Sequence, residues 1–238
     1  MSRVSGRIVV MILAVLAGVL VWRARNGVMA SGAGGNGAVA AVPAPAADET
    51  KAIATGKETA VVAGGCFWGI QAVFERLKGV LRATSGYSGG AANTATYEKV
   101  CSGRTGHAEA VEIIFDPSQI SFGQILKVFF SVAHDPTQLN RQGPDHGTQY
   151  RSAIFYTSED QKRISEAYVK QLDSAKVFGQ RIATQIVPLE AFYPAEDYHQ
   201  GYMDLHPENM YIVINDYPKV ENLRKHYPSL FVEKKSAT

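Results

Sequence analysis

Cysteine is nearly absent from this 238-residue chain, which carries only Cys66 and Cys101. Two thiols permit at most one disulfide and exclude a disulfide-stapled scaffold, so an apolar core has to hold the fold. The histidines show no His-x-x-x-His spacing and the cysteines no Cys-x-x-Cys, so the usual marks of a metal site are missing and none is expected. An excess of one charge is missing as well. With 24 Lys and Arg against 22 Asp and Glu, the formal charge of +2 is dispersed, and no basic field exists to hold a nucleic-acid backbone. Internal repeats are absent, and the length suits one well-cored domain with an appendage.

Arg3 and Arg7 precede the uninterrupted apolar run from Ile8 to Trp22, which meets Arg23 and Arg25. The run is shorter than the ~20 residues that comfortably span a bilayer, and Val28-Met29-Ala30 is an acceptable cleavage site. Residues 1–30 therefore read as a signal peptide or a membrane anchor, the segment contacting membrane if it is uncleaved. Either reading places the rest of the chain outside the cytoplasm, in the periplasm or its equivalent. Residues 31–58, rich in Ala, Gly and Pro, have too few large apolar groups to offset ordering and read as a flexible linker. Residues 59–231 are the expected domain, and 232–238 a disordered tail.

Within that domain Ala60 to Ala63 reads as a strand, Gly64-Gly65 as a sharp turn, and Phe67 to Lys78 as a helix with apolar residues at helical spacing. Further strands are expected at Val80 to Tyr87, Glu109 to Phe115, Ser152 to Tyr156 and Ala183 to Pro188, with helices at Phe122 to Val132 and Glu159 to Leu172. Ser85 to Thr96 and Gln138 to Gln149 read as surface loops. Mixed elements without a strict βαβ rhythm favour an α+β fold.

Cys66 sits where a strand turns into a helix. A thiol there meets unpaired N–H groups and the positive end of the backbone dipole, so a lowered pKa is expected. For a bare cysteine in an apolar segment, a buried core thiol or half of a disulfide is the plainer reading. Gly64 and Gly65 before it, and Phe67 and Trp68 after it, shift the balance, because glycine admits a substrate to the backbone and aromatics build an apolar pocket.

Gly65-Cys66-Phe67-Trp68-Gly69 resembles the signature of the A-type peptide-methionine (S)-sulfoxide reductases. Three further blocks follow in the family's order: Tyr97 to Glu109, Asn140 to Ser152, and Phe192 to Gln200. The resemblance implies that the Cys66 thiolate attacks the sulfoxide sulfur, leaving methionine and a cysteine sulfenic acid. It implies that Glu109 is the acid protonating the departing oxygen, which at neutral pH requires a pKa raised by burial. It makes Tyr97 and Tyr150 hydroxyl donors, Asp145 a third polar contact, and Phe67 and Trp68 the pocket for the terminal methyl group. Without it, Glu109 would read as a solvated strand-start carboxylate, the tyrosines as packing residues, Asp145 as a turn former, and Phe67 and Trp68 as core. Glu196, Asp197, His199 and Gln200 could line the rim.

The architecture expected for such a domain is a two-layer sandwich or roll of the ferredoxin-like plait type, with a central mixed, mainly antiparallel sheet packed by helices. The implied activity is repair of oxidised methionine, in proteins and free, by a monomer without cofactor. Many family members carry resolving cysteines in a C-terminal tail, whereas Lys219 to Thr238 has none. A one-cysteine enzyme recycled by an external thiol, small or thioredoxin-like, is therefore expected. The competing functions are a cysteine hydrolase or acyltransferase pairing Cys66 with an imidazole, and a non-enzymatic tethered interaction module.

Overall fold

In a computed structural model of the chain, residues 41–48 and 56–234 are described; the expected leader (1–30) and most of the 31–58 linker lie outside the described residues. The apolar run Glu58–Gly64 forms β1, and Phe67–Glu75 forms α1. They are followed by β2 (Val80–Ser88), the short α2 (Tyr97–Val100), β3 (Ala108–Phe115) and α3 (Phe122–Val128), whose last turn winds on as a π-helix over Phe129–Ala133. A two-residue ribbon pairs β4 (Arg141–Gln142) with β5 (Asp145–His146). Then come β6 (Ser152–Tyr156), α4 (Glu159–Ser174), the edge strands β7 (Gln185–Pro188) and β8 (Phe192–Pro194), and α5 (Tyr202–Leu205). A π-helical turn at Ile212–Asp216 leads into α6 (Tyr217–His226).

The main sheet has the order β7-β6-β1-β3-β2-β8 and is antiparallel except for the β6–β7 edge. Its inner four strands with α1 and α3 make a β-α-β-β-α-β ferredoxin-like plait, as expected. Alternation along β3 decides which side chains meet the helices: Val111, Ile113 and Phe115 join the large core beneath them, while Ala108 and Ala110 face a smaller cluster with Val61, Ala63 and Phe155. Glu109 shares the parity of Val111 and so points to the helix side. The pairing of Val62 with Val111 and of Gly64 with Ser152 brings the end of β1, the start of β3 and the approach to β6 to one edge. Cys66, Glu109 and Tyr150 meet there.

Four readings change in detail. The start of the expected disordered tail is docked: the Val232 N–H donates to Arg76 O at 2.9 Å, and Lys234 pairs with Glu75 at 2.6 Å and Asp204 at 2.9 Å, while residues 235–238 lie outside the described residues. The α1 helix stops at Glu75. The segment read as a loop from Ser85 is still strand, with Ser85, Tyr87 and Ser88 buried, and turns only at Gly89. Part of the expected linker is docked rather than free: Val42 is buried, the Tyr168 hydroxyl donates to Pro43 O at 2.7 Å, and Gln171 bonds Ala44 O and Ala46 N. Asp48 accepts the Gly123 N–H at 2.9 Å, beside Ser121, the cap of α3. Side-chain and terminal donors of the domain supply the hydrogen bonds that the linker's own composition could not.

Candidate active site

Cys66 is the cap residue of α1 and only 7 % exposed. Gly65 before it has φ +100°, a left-handed conformation that glycine adopts without strain and that makes the sharp entry to the helix possible. The first helical N–H, that of Phe67, is directed at Glu109 Oε2 at 3.1 Å, while the Trp68 N–H bonds the thiol. The expected depression of the thiol pKa is not found. Burial pushes it well above 9.0, the nearby Glu109 and Asp216 push the same way, and the Trp68 N–H and Lys219 only partly offset them. The helix-terminal donors are present, but desolvation outweighs them and one serves the carboxyl group.

Glu109 is 2 % exposed, and burial raises its pKa to about 8 against the pull of the Phe67 N–H, with Asp145 and Asp216 adding to the rise. At neutral pH it is therefore a neutral carboxylic acid beside the thiol. Tyr97 and Tyr150 are half-buried, and the hydroxyls of both are raised by burial and by the charges of Glu109 and Cys66 close at hand. The Tyr97 hydroxyl bonds the thiol of Cys101, which is free and exposed, as Cys66 is free and buried. Asp145, on the β4–β5 ribbon, accepts the hydroxyl of Tyr211.

Phe67 and Trp68 form an aromatic wall. Trp68 stacks on Tyr202 at 3.8 Å and 9°, meets Tyr211 edge-on at 6.0 Å, and donates its Nε1–H to His199 Nδ1 at 3.1 Å. Accepting at Nδ1, and with its pKa lowered by burial, His199 is neutral with its proton on Nε2. Phe67 packs on Tyr87 and on His199. Glu196 accepts the Tyr87 hydroxyl and the Tyr97 N–H, both at 2.9 Å. Gln200 bonds Ser85 and Gln71 of α1. Asp197, by contrast, is exposed. Of the late polar cluster, Glu196, His199 and Gln200 brace the wall from behind.

All seven residues singled out from the sequence converge here. Tyr87, Tyr202, Tyr211, Asp216 and Lys219 were missed. The first reads as an ordinary strand residue, and the others lie in a C-terminal segment of mixed character whose contacts arise only from tertiary packing.

Of the histidines, His134 bonds Phe129 O and Ser152 Oγ, His107 bonds the backbone of Gly90 and Ala91, and His199 accepts from Trp68. The groups acting on Cys66 are Glu109, Asp216, the Trp68 N–H and Lys219, with no imidazole among them, the arrangement of a thiol-dependent reductase more than of a cysteine hydrolase. The peptide methionine sulfoxide reductase family model matches residues 58–230. A Mesorhizobium japonicum protein named peptide methionine sulfoxide reductase MsrA 2 is 58 % identical over 181 residues, covering 76 % of this chain and 93 % of its own. A Synechocystis protein of the same name is 50 % identical over 188 residues, 78 % of this chain and 88 % of its own. Among solved structures, methionine sulfoxide reductase A of Corynebacterium diphtheriae superposes with a TM-score of 0.56 at 38 % identity, over 66 % of this chain and 78 % of that one. Reduced Mxr1 from Saccharomyces cerevisiae gives 0.58 at 33 %, over 64 % and 87 %. The chain belongs to the peptide methionine sulfoxide reductase family.

Proposed function

We propose that the chain reduces the S epimer of methionine sulfoxide, in proteins and free, to methionine, with Cys66 as nucleophile and Glu109 as proton donor. The observation that carries this reading is the buried carboxyl group of Glu109 fixed on the first turn of the nucleophile's helix. The sulfur of Cys66 bonds to the sulfoxide sulfur while the oxygen takes a proton from Glu109, whose carboxylate takes the proton released by the thiol. Methionine then leaves with the electron pair, and the hydroxyl passes to Cys66 as a sulfenic acid. Tyr97 and Tyr150 are the hydroxyls that donate to the oxygen as charge develops, Tyr97 by turning from Cys101, and Asp145 orients Tyr211. The wall of Phe67 and Trp68 receives the methyl group. One external thiol then condenses with the sulfenic acid, releasing water, and a second displaces the mixed disulfide to restore Cys66.

A thioredoxin-like protein or a small thiol supplies those electrons, a reading supported by the lack of cysteine from Lys219 to Thr238. The N-terminal apolar run supports action on proteins outside the cytoplasm; recovery of the chain in the cytosolic fraction would remove that support. The test of the reaction uses the purified chain with dithiothreitol and each epimer of a methionine sulfoxide peptide. Turnover of the S epimer alone, lost in Cys66→Ser and kept in Cys101→Ser, is expected. Turnover in Cys66→Ser would reject the nucleophile.

A further inference from the structure

Counting from the cap residue Cys66, Gly69 is the third residue of α1. At a helix start the side chain in this position is the one that reaches back to the cap. Gly69 leaves the position open, and two side chains from the other end of the domain fill it. A Cβ on Gly69 would lie 2.1 Å from Asp216 Oδ1 and 2.9 Å from Lys219 Nζ. Asp216 and Lys219 are joined at 3.0 Å, the aspartate side chain wholly buried and the lysine 16 % exposed.

The winding of the C-terminal segment explains how the pair arrives there. Tyr211 and Asp216 are five residues apart, a separation that in an α-helix turns the second side chain well away from the first. Ile212–Asp216 is π-wound, and the wider turn brings both toward α1.

We infer that Lys219, clamped by Asp216 in the space left open by Gly69, is the counter-charge that holds the Cys66 thiolate. The inference rests on Cys66 being the nucleophile. The groups facing Cys66 are Glu109 from β3, Asp216 and Lys219 from the C-terminal helix, and the hydroxyls of Tyr97, Tyr150 and Tyr211, the last bonded to Asp145. Lys219 is the one cation among them. Asp216 alone would oppose ionisation of the thiol. Its Oδ2 has no hydrogen-bond partner, so the lysine is its chief compensation and is held in turn. Acting through its field on Cys66, Lys219 is a positioning residue.

The test follows alkylation of Cys66 by iodoacetamide against pH in the full chain carrying Cys101→Ser. Lys219→Met is expected to slow alkylation at neutral pH about tenfold or more, the effect of losing a close opposite charge, and to move the midpoint to higher pH. Lys219→Arg should stay near the parent. A folded Lys219→Met with an unmoved midpoint overturns the inference. If Lys219→Met does not fold, Lys219→Gln decides, since its amide still gives Asp216 a hydrogen-bond donor but carries no charge: its midpoint should also move to higher pH, and an unmoved midpoint overturns the inference. Turnover surviving in Cys66→Ser removes the nucleophile and this inference together, whereas an unmoved midpoint with Cys66-dependent turnover removes the inference alone.

Discussion

The backbone N–H of Phe67 donates to the buried carboxyl group of Glu109 at 3.1 Å, tying the acid on β3 to the first turn of the helix that Cys66 caps. Nucleophile and acid are therefore positioned by one helix start, and a substrate reaching one reaches the other. Glu109→Gln keeps the hydrogen bond and the shape but has no proton to give. It should bind sulfoxide with a similar KM while turnover falls by ~10²–10⁴-fold. Steady-state kinetics with a methionine sulfoxide peptide measures both, and an unchanged kcat would move the acid elsewhere.

The same carboxyl group sets a pH limit. Burial, the main cause, raises its pKa in the folded chain to about 8 from the ordinary 4.5. Between those values the folded protein keeps a proton that the unfolded chain has released, so the stability this proton confers is complete below 4.5 and is lost as pH rises through about 8. Turnover should show a descending alkaline limb near the same value, where proton delivery fails. In Glu109→Gln both the descending limb and the fall in Tm between mildly acidic and mildly alkaline pH should flatten. A limb that persists in the variant belongs to another group.

The strand, glycine turn and helix around Cys66 were legible because local chemistry determines them, and the side of β3 that carries Glu109 follows from simple alternation. The direction of the thiol's pKa was not legible. Sequence shows a helix start but not that Phe67 spends its N–H on Glu109, nor that Asp216 lies within reach of the sulfur. The C-terminal half of the site was hidden for a related reason. Tyr202, Tyr211, Asp216 and Lys219 sit in a mixed stretch broken by Pro207 and Pro218, and their inward orientation depends on a π-helical turn that leaves no pattern in the residues themselves.

Composition alone also gave too loose a picture of the segment before β1. Asp48 accepts the Gly123 N–H, one of the donors that the start of α3 would otherwise leave unpaired, and it adds to the Ser121 cap. Asp48→Ala should cost about 1 kcal/mol, the scale of a lost helix cap, with kcat unaffected because α3 contributes nothing to the site. Urea unfolding checks the first and sulfoxide turnover the second. No change in the unfolding midpoint would mean that the cap on Ser121 suffices.

Gly69→Ala separates helix propensity from tertiary packing by the sign of its effect. Within an isolated helix, alanine in place of glycine stabilises by up to ~1 kcal/mol. Here the added methyl would meet Asp216 Oδ1 at 2.1 Å and Cγ at 2.7 Å, and Asp216 is buried and tied to Lys219. Displacing it also pulls on Lys219 and on the π-helical turn that carries Tyr211 to Trp68. Overpacking of this kind costs about 1–3 kcal/mol, so the variant should be less stable than the parent in urea in spite of its better helix former. A rise in stability would mean that the C-terminal segment can lift from α1 at little cost, and that the Asp216–Lys219 pair is not firmly seated against the helix of the nucleophile.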